Sequence, residues 1–159
     1  MHNSKRKVTP RVMIKALENN NELEVPTYAT PGSSGMDIRS CEDIHLAKGE
    51  TKMIHTGFAL SIPKGFEIQI RSRSGLAKKK GVFVTNGIGT IDSDYRGEVC
   101  VLLTCLGVSV DDDSGLTINK GDRIAQMVLS RVDQADLVLV EELTSTERDS
   151  GGFGSTGTA

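Results

Sequence analysis

The sequence predicts an all-β domain, a sandwich or jelly roll, and three observations carry that prediction. Short strand-like runs recur along most of the chain, punctuated by Gly, Pro, Asn and Asp. Phe66-Glu67-Ile68-Gln69-Ile70-Arg71 alternates apolar and polar residues, as a strand with one buried face does. A single stretch, Ser74 to Gly81, reads as a helix. With 159 residues, 37% of them hydrophobic, the chain is long enough for one domain with its own core. Aromatic residues are 4% and Trp is absent, so that core is expected from Val, Ile, Leu and Met.

Residues 1–10 read as a disordered basic arm, 11–146 as the β domain and 147–159 as a flexible tail. Within the domain, 11–17 is a first strand and Asn19-Asn20-Asn21 a turn. Pro26 places the extended run 23–28 at an edge. A small-residue loop from Ala29 to Gly35 enters a strand at Met36. Short strands follow at 44–46, 51–56 and 58–62, with Lys48-Gly49-Glu50 and Pro63-Lys64-Gly65 as turns. In the helix, Ser74 is the expected N-cap and Gly81 the C-terminal stop. Lys78-Lys79-Lys80 complements its dipole at the C-terminal end. Residues 81–103 read as one long hairpin bent about Ser93, which sets Asn86 roughly opposite Cys100. The acid run Asp111-Asp112-Asp113 lies in a loop and lacks EF-hand spacing. The last strands are expected at 116–118, 121–129 and 137–140.

Composition narrows the function. A net charge of −2 provides no basic field for nucleic acid. No apolar run is long enough to span a membrane, and the basic start precedes too short an apolar run for a signal peptide. Three Cys without CxxC spacing fit reduced thiols, so a cytoplasmic location is expected. Cys100 and Cys105 fall on opposite strand faces, which makes them packing residues. His2, His45 and His55 show no ligand spacing, so no zinc site is expected.

The hairpin tip concentrates the chemistry: Asp92, Asp94, Tyr95 and Arg96 stand together, while Gly87 and Gly89 leave backbone open to a ligand. Alone, that tip reads as a solvated turn. The tail sets Arg148 and Phe153 among glycines and hydroxyls, parts from which a lid over phosphates and a base could be built.

Five segments, Ala29–Ile38, Arg73–Ala77, Asn86–Gly97, Gly121–Gln126 and Arg148–Gly157, closely resemble in order and spacing the five motifs of the trimeric dUTPases. The resemblance covers residues 29 to 157. It implies a jelly-roll-like β-barrel subunit with one short helix, in a homotrimer whose active sites are shared between subunits. It also implies hydrolysis of dUTP to dUMP and pyrophosphate with Mg²⁺, which limits uracil in DNA and supplies the dTMP precursor.

By position, the resemblance gives Asp92 the water that attacks the α-phosphorus and sets Tyr95 against the deoxyribose. Asn86 and backbone at Gly89, Thr90, Ile91 and Cys100 would read uracil. Arg73, Ser74, Gly75 and Gln126 would meet phosphates. Arg148, Phe153, Gly154, Ser155 and Thr156 would form the lid. No residue would ligate the metal directly; Mg²⁺ would ride on phosphates and water, with Asp37 near its water shell.

The chain departs from the pattern at Ser72, where Pro commonly precedes the motif Arg and whose change is expected to loosen that turn. It departs again at Asp149, where Gly is usual, at Cys105 in place of Asn, and in a longer loop at 106–115. Two other readings share the fold: a dCTP deaminase and a non-catalytic nucleotide-sensing homologue.

Overall fold

The computed structural model describes residues 9–20, 22–107 and 114–152. The start of the basic arm, the acid run 111–113 and the tail residues Phe153, Gly154, Ser155 and Thr156 lie outside them.

Ten strands are described, all paired antiparallel. They are β1 (Met13–Ala16), β2 (Met36–Arg39), β3 (Ile44–Leu46), β4 (Thr51–Ser61), β5 (Phe66–Arg71), β6 (Val82–Val84), β7 (Ile88–Ile91), β8 (Glu98–Cys105), β9 (Leu116–Ile118) and β10 (Arg123–Arg131). One sheet runs β1-β4-β8-β6, a second runs β2-β10-β5-β7, and β3-β9 form a small third. The protein is therefore all-β and of the jelly-roll class, but among the described residues its sheets do not close into a barrel. One hydrophobic cluster draws on all three sheets, with Ile38, Leu46, Ile54, Ile68, Ile70, Val99, Val101, Leu103, Ile118 and Ile124 buried in it. Alternation explains the assignment: Ile68 and Ile70 of β5 point inward while Arg71 is exposed.

The helix α1 (Ser74–Lys80) is the one α-helix among the described residues. Its N-cap is Arg73 in an extended conformation, without a side-chain cap bond, so Ser74 is the first helical residue rather than the cap. Gly81 closes it in the left-handed region at φ 62°, and a Cβ there would fall 2.0 Å from the Gly107 carbonyl oxygen.

Four expectations are corrected. Residues 51–56 and 58–62 are one strand, β4, because the chain continues through a bulge at Gly57 instead of turning. His55 faces Cys100 and Ala59 faces Glu98, so four residues of β4 advance against two of β8. The bulge N–H groups of Thr56 and Gly57 donate to Glu98 Oε1 at 3.2 and 2.7 Å, which keeps those backbone donors satisfied.

The long hairpin also divides. Its base pairs β6 with β8 in the register Val82↔Cys105 to Val84↔Leu103, close to the expected centre. Its inner arm, β7, leaves that sheet and pairs with β5 in the other. Residues 23–28 form no strand beyond an isolated bridge of Tyr28 with Met36. Leu137-Val138-Leu139-Val140 is not a strand either; Leu137 and Leu139 are 91% and 99% exposed.

Candidate active site

The departure of β7 from the hairpin is what assembles the site. The second sheet now carries residues from three of the five sequence segments, and a fourth, Arg73–Ala77, follows directly on the end of β5. Asp37 on β2 faces Gln126 on β10, and Gln126 faces Arg71 at the end of β5. Across β5, Ile70 faces Gly89 and Gln69 faces Thr90 on β7.

Two residues beyond Arg71, Arg73 turns back over this sheet. Its Nε donates to Asp37 Oδ1 at 3.0 Å, and its Nη1 donates to the Arg123 carbonyl at 3.0 Å. Arg123 Nη1 donates to Asp37 Oδ2 at 3.1 Å. One carboxylate thus holds two guanidinium groups, and both Asp37 and Arg73 are largely covered. Charge-assisted bonds of this kind fix geometry as well as energy. The result is a positive edge next to the first turn of α1, whose leading N–H groups have no intrahelical acceptors. Ser74 and Gly75 are exposed there. The Ser72 hydroxyl accepts from the Val84 N–H at 2.9 Å, so Ser72 ties the turn before Arg73 to β6 rather than loosening it.

The other half of the site is the Asn86–Gly97 segment. The Gly87 N–H donates to the Val84 carbonyl and the Ile88 N–H to the Asn86 carbonyl, with Gly87 at φ 73°. A Cβ placed on Gly89 would lie 3.1 Å from Ile70 Cβ and 3.6 Å from Asn86 Nδ2. The missing side chain therefore leaves a slot between the Asn86 amide and β5. At the tip, the Tyr95 N–H donates to the Asp92 carbonyl at 3.2 Å. Arg96 Nη1 donates to the carbonyls of Ser93 and Tyr95, each at 2.8 Å, which spends its charge on the turn itself. The Tyr95 hydroxyl donates to the Glu98 carbonyl at 3.1 Å, laying the ring over Gly97. Asp92 is exposed. It borders a cleft of about 870 Å³ with Lys64, Phe66, Glu67 and Val132. That cleft includes neither Asn86, Gly89 nor Tyr95, so it flanks the Gly89 slot rather than filling it.

Of the expected tail residues only Arg148 is described. Its Nε donates to the Gly151 carbonyl at 2.8 Å, inside its own turn. Asp149 sits at φ 43°, in the left-handed region that a glycine would occupy without strain. The sequence reading missed Arg123 as a partner of Asp37, although it lies inside the quoted Gly121–Gln126 segment. It also missed His55 and Glu98, which meet Cys100 on the outer face of the first sheet. Cys105, by contrast, is buried, so the two thiols do lie on opposite faces of β8.

A family model described as dUTPase matches residues 21–157. The chain is 51% identical over 150 residues to deoxyuridine 5'-triphosphate nucleotidohydrolase of Caulobacter vibrioides (strain NA1000 / CB15N), covering 92% of this chain and 94% of that protein. It is 53% identical over 137 residues to the protein of the same name from Desulfotalea psychrophila (strain LSv54 / DSM 12343), covering 85% and 88%. Among solved structures it is similar to the Staphylococcus bacteriophage 80alpha dUTPase with dUpNHpp, at TM-score 0.81 and 29% identity over 94% of this chain and 100% of that one. A mutant dUTPase from phage phi11 of S. aureus, described with a structural Mg(II) ion, matches at TM-score 0.72 and 26% identity over 85% and 99%.

Proposed function

Because the chain belongs to the dUTPase family, it is a dUTP diphosphatase that hydrolyses dUTP to dUMP and pyrophosphate, and we propose how its residues divide that work. The observation that carries the proposal is the second sheet, which sets Asp37, Gln126 and the Gly89 slot on β2, β10 and β7, with Arg73 bound to Asp37 beside it. Asn86 and the backbone of Gly89, Thr90, Ile91 and Cys100 read uracil. Fixed N–H and C=O groups suit that task, since cytosine would leave them unpaired. Tyr95 stacks on the deoxyribose and leaves no room for a 2′-hydroxyl. Arg73, held by Asp37, meets the phosphates together with Gln126 and the Ser74 and Gly75 backbone. Asp92 takes a proton from water as its oxygen attacks the α-phosphorus, and pyrophosphate leaves.

The reaction is metal-dependent, and we assign Mg²⁺. Both Asp37 oxygens already accept from arginines, and on this side of the molecule no His, Cys, Asp and Glu side chains close to ligand spacing among the described residues. That set fits an ion carried by substrate phosphates and water, the habit of Mg²⁺, with Asp37 touching only its waters. When bound, the ion neutralises charge building on the phosphates.

The working unit is a homotrimer. Leu137, Val138, Leu139 and Leu143 are 74–99% exposed in one chain, and such an apolar run wants cover from a second copy. Arg148, Phe153, Gly154, Ser155 and Thr156 then close over a neighbour's nucleotide. No described helix is long and apolar enough to cross a membrane, and buried thiols at Cys41 and Cys105 suit the cytoplasm. A nucleotide panel with Mg²⁺ tests the function: pyrophosphate from dUTP alone is expected. Ammonia from dCTP would replace this reading with deamination.

A further inference from the structure

We propose that His55, Glu98 and Cys100 form a binding site for one divalent transition metal of the zinc class, separate from the phosphate-borne Mg²⁺. His55 on β4 and Cys100 on β8 are direct cross-strand partners, and Glu98 lies two residues earlier on the same face as Cys100. His55 Nδ1 is 2.8 Å from Glu98 Oε2 and 3.6 Å from Cys100 Sγ. All three ligand atoms lie within 4.8 Å of one another.

The His55–Cys100 separation matches a tetrahedral ion. Bond lengths of about 2.3 Å to sulfur and about 2.05 Å to nitrogen put the two ligands about 3.6 Å apart. The His55–Cys100 pair already stands at that distance. Nitrogen and carboxylate oxygen would sit about 3.4 Å apart, so Glu98 Oε2 needs to withdraw by about 0.6 Å. The donor set of imidazole, thiolate and carboxylate is that of zinc or cobalt and foreign to Mg²⁺, which takes oxygen. Three protein ligands leave the fourth position for water.

The surroundings are those of a prepared site. Glu98 Oε1 is fixed by the Thr56 and Gly57 N–H groups and by Asn19 Nδ2 at 3.0 Å, leaving Oε2 to point at the imidazole. The His55 N–H donates to Glu42 Oε1 at 2.8 Å, anchoring the backbone behind the ring. Outer bonds of this kind orient ligands and tune affinity. The ion would pin the Gly57 bulge to β8 at Cys100, behind the uracil-reading backbone.

The full-length protein, stripped with chelator and carrying no affinity tag, is titrated with Co²⁺ and then Zn²⁺. One Co²⁺ per chain is expected, with a thiolate-to-cobalt charge-transfer band that Zn²⁺ abolishes, and a raised Tm with Zn²⁺. Cys100→Ser should remove the band. His55→Gln should weaken binding beyond the roughly 10–100-fold that losing an outer partner costs, and Asn19→Ala should fall within that range. Failure of the wild-type protein to bind either ion above the micromolar range overturns the proposal without reliance on any variant. So does Co²⁺ binding without a sulfur band, or binding unchanged in folded His55→Gln.

Discussion

Gly97→Ala separates the position of Tyr95 from the stability of the fold. A Cβ at residue 97 would lie 2.3 Å from the Tyr95 hydroxyl and 2.6 Å from its Cζ. Something must move, and the ring is what can, because its far end is free to swing while the turn backbone stays. The swing breaks the Tyr95–Glu98 bond of 3.1 Å, a net loss of about 0.5–1.5 kcal/mol. Little core is lost, since Tyr95 is 45% exposed. For a chain of this length about 1 kcal/mol lowers Tm by roughly 2–4 °C, so the variant should fold. Its selectivity should suffer far more. On the proposed role of Tyr95, a displaced ring no longer blocks a 2′-hydroxyl, and steric discrimination of this size is worth roughly 10–200-fold. The assay is kcat/KM for dUTP and UTP beside Tm. Tyr95→Phe is the control: it loses the same bond but keeps the ring over Gly97, so it should keep the ratio. A Gly97→Ala enzyme with the wild-type dUTP/UTP ratio would refute the argument.

Gly57→Ala should destabilise the fold itself. Gly57 sits at φ 71°, which costs a residue with a Cβ about 1–2 kcal/mol, and that Cβ would stand 2.4 Å from Asn20 Cα. Backbone cannot yield cheaply, so a Tm drop of at least roughly 2–8 °C at fixed protein concentration is expected; an unchanged Tm would mean that the bulge is not held as described. Deleting residues 147–159 should leave a normally melting protein with strongly reduced kcat/KM for dUTP, because the lid proposed above lies in this stretch and its Gly- and Ser-rich composition offers little to a core. Full-rate turnover by the truncated protein would remove the lid.

What the sequence made legible was mostly local. The alternation of Phe66–Arg71 reports its own buried face, and Gly81 reports the end of its own helix. The base of the central hairpin was placed within a residue, because turn chemistry at Asp92–Asp94 sets its centre. Partner choice was not legible. Nothing in Ile88–Ile91 says that it pairs with β5 rather than β8, since both partners present the same backbone groups. The expected break between residues 56 and 58 falls at Gly57, yet a left-handed residue inside a strand makes a bulge as readily as a turn. Leu137–Val140 has strand-like composition but finds no sheet edge within one chain. The site motifs were visible as segments, while their meeting on one sheet depended on these pairings. His55 and Cys100 stand 45 residues apart, so spacing arithmetic could not bring them together.

The assignment of Asp92 as the base is tested most directly by Asp92→Asn under saturating dUTP and Mg²⁺. Asp92 is exposed at the tip, and the turn is closed by its carbonyl rather than its carboxylate, so the variant should fold and bind nucleotide as before. The amide can hold a water but cannot take its proton, and positioned bases contribute roughly 10²–10⁴-fold. A kcat lower by that factor is expected, with little change in nucleotide Kd. A kcat near the wild-type value, or a loss confined to KM, would contradict it.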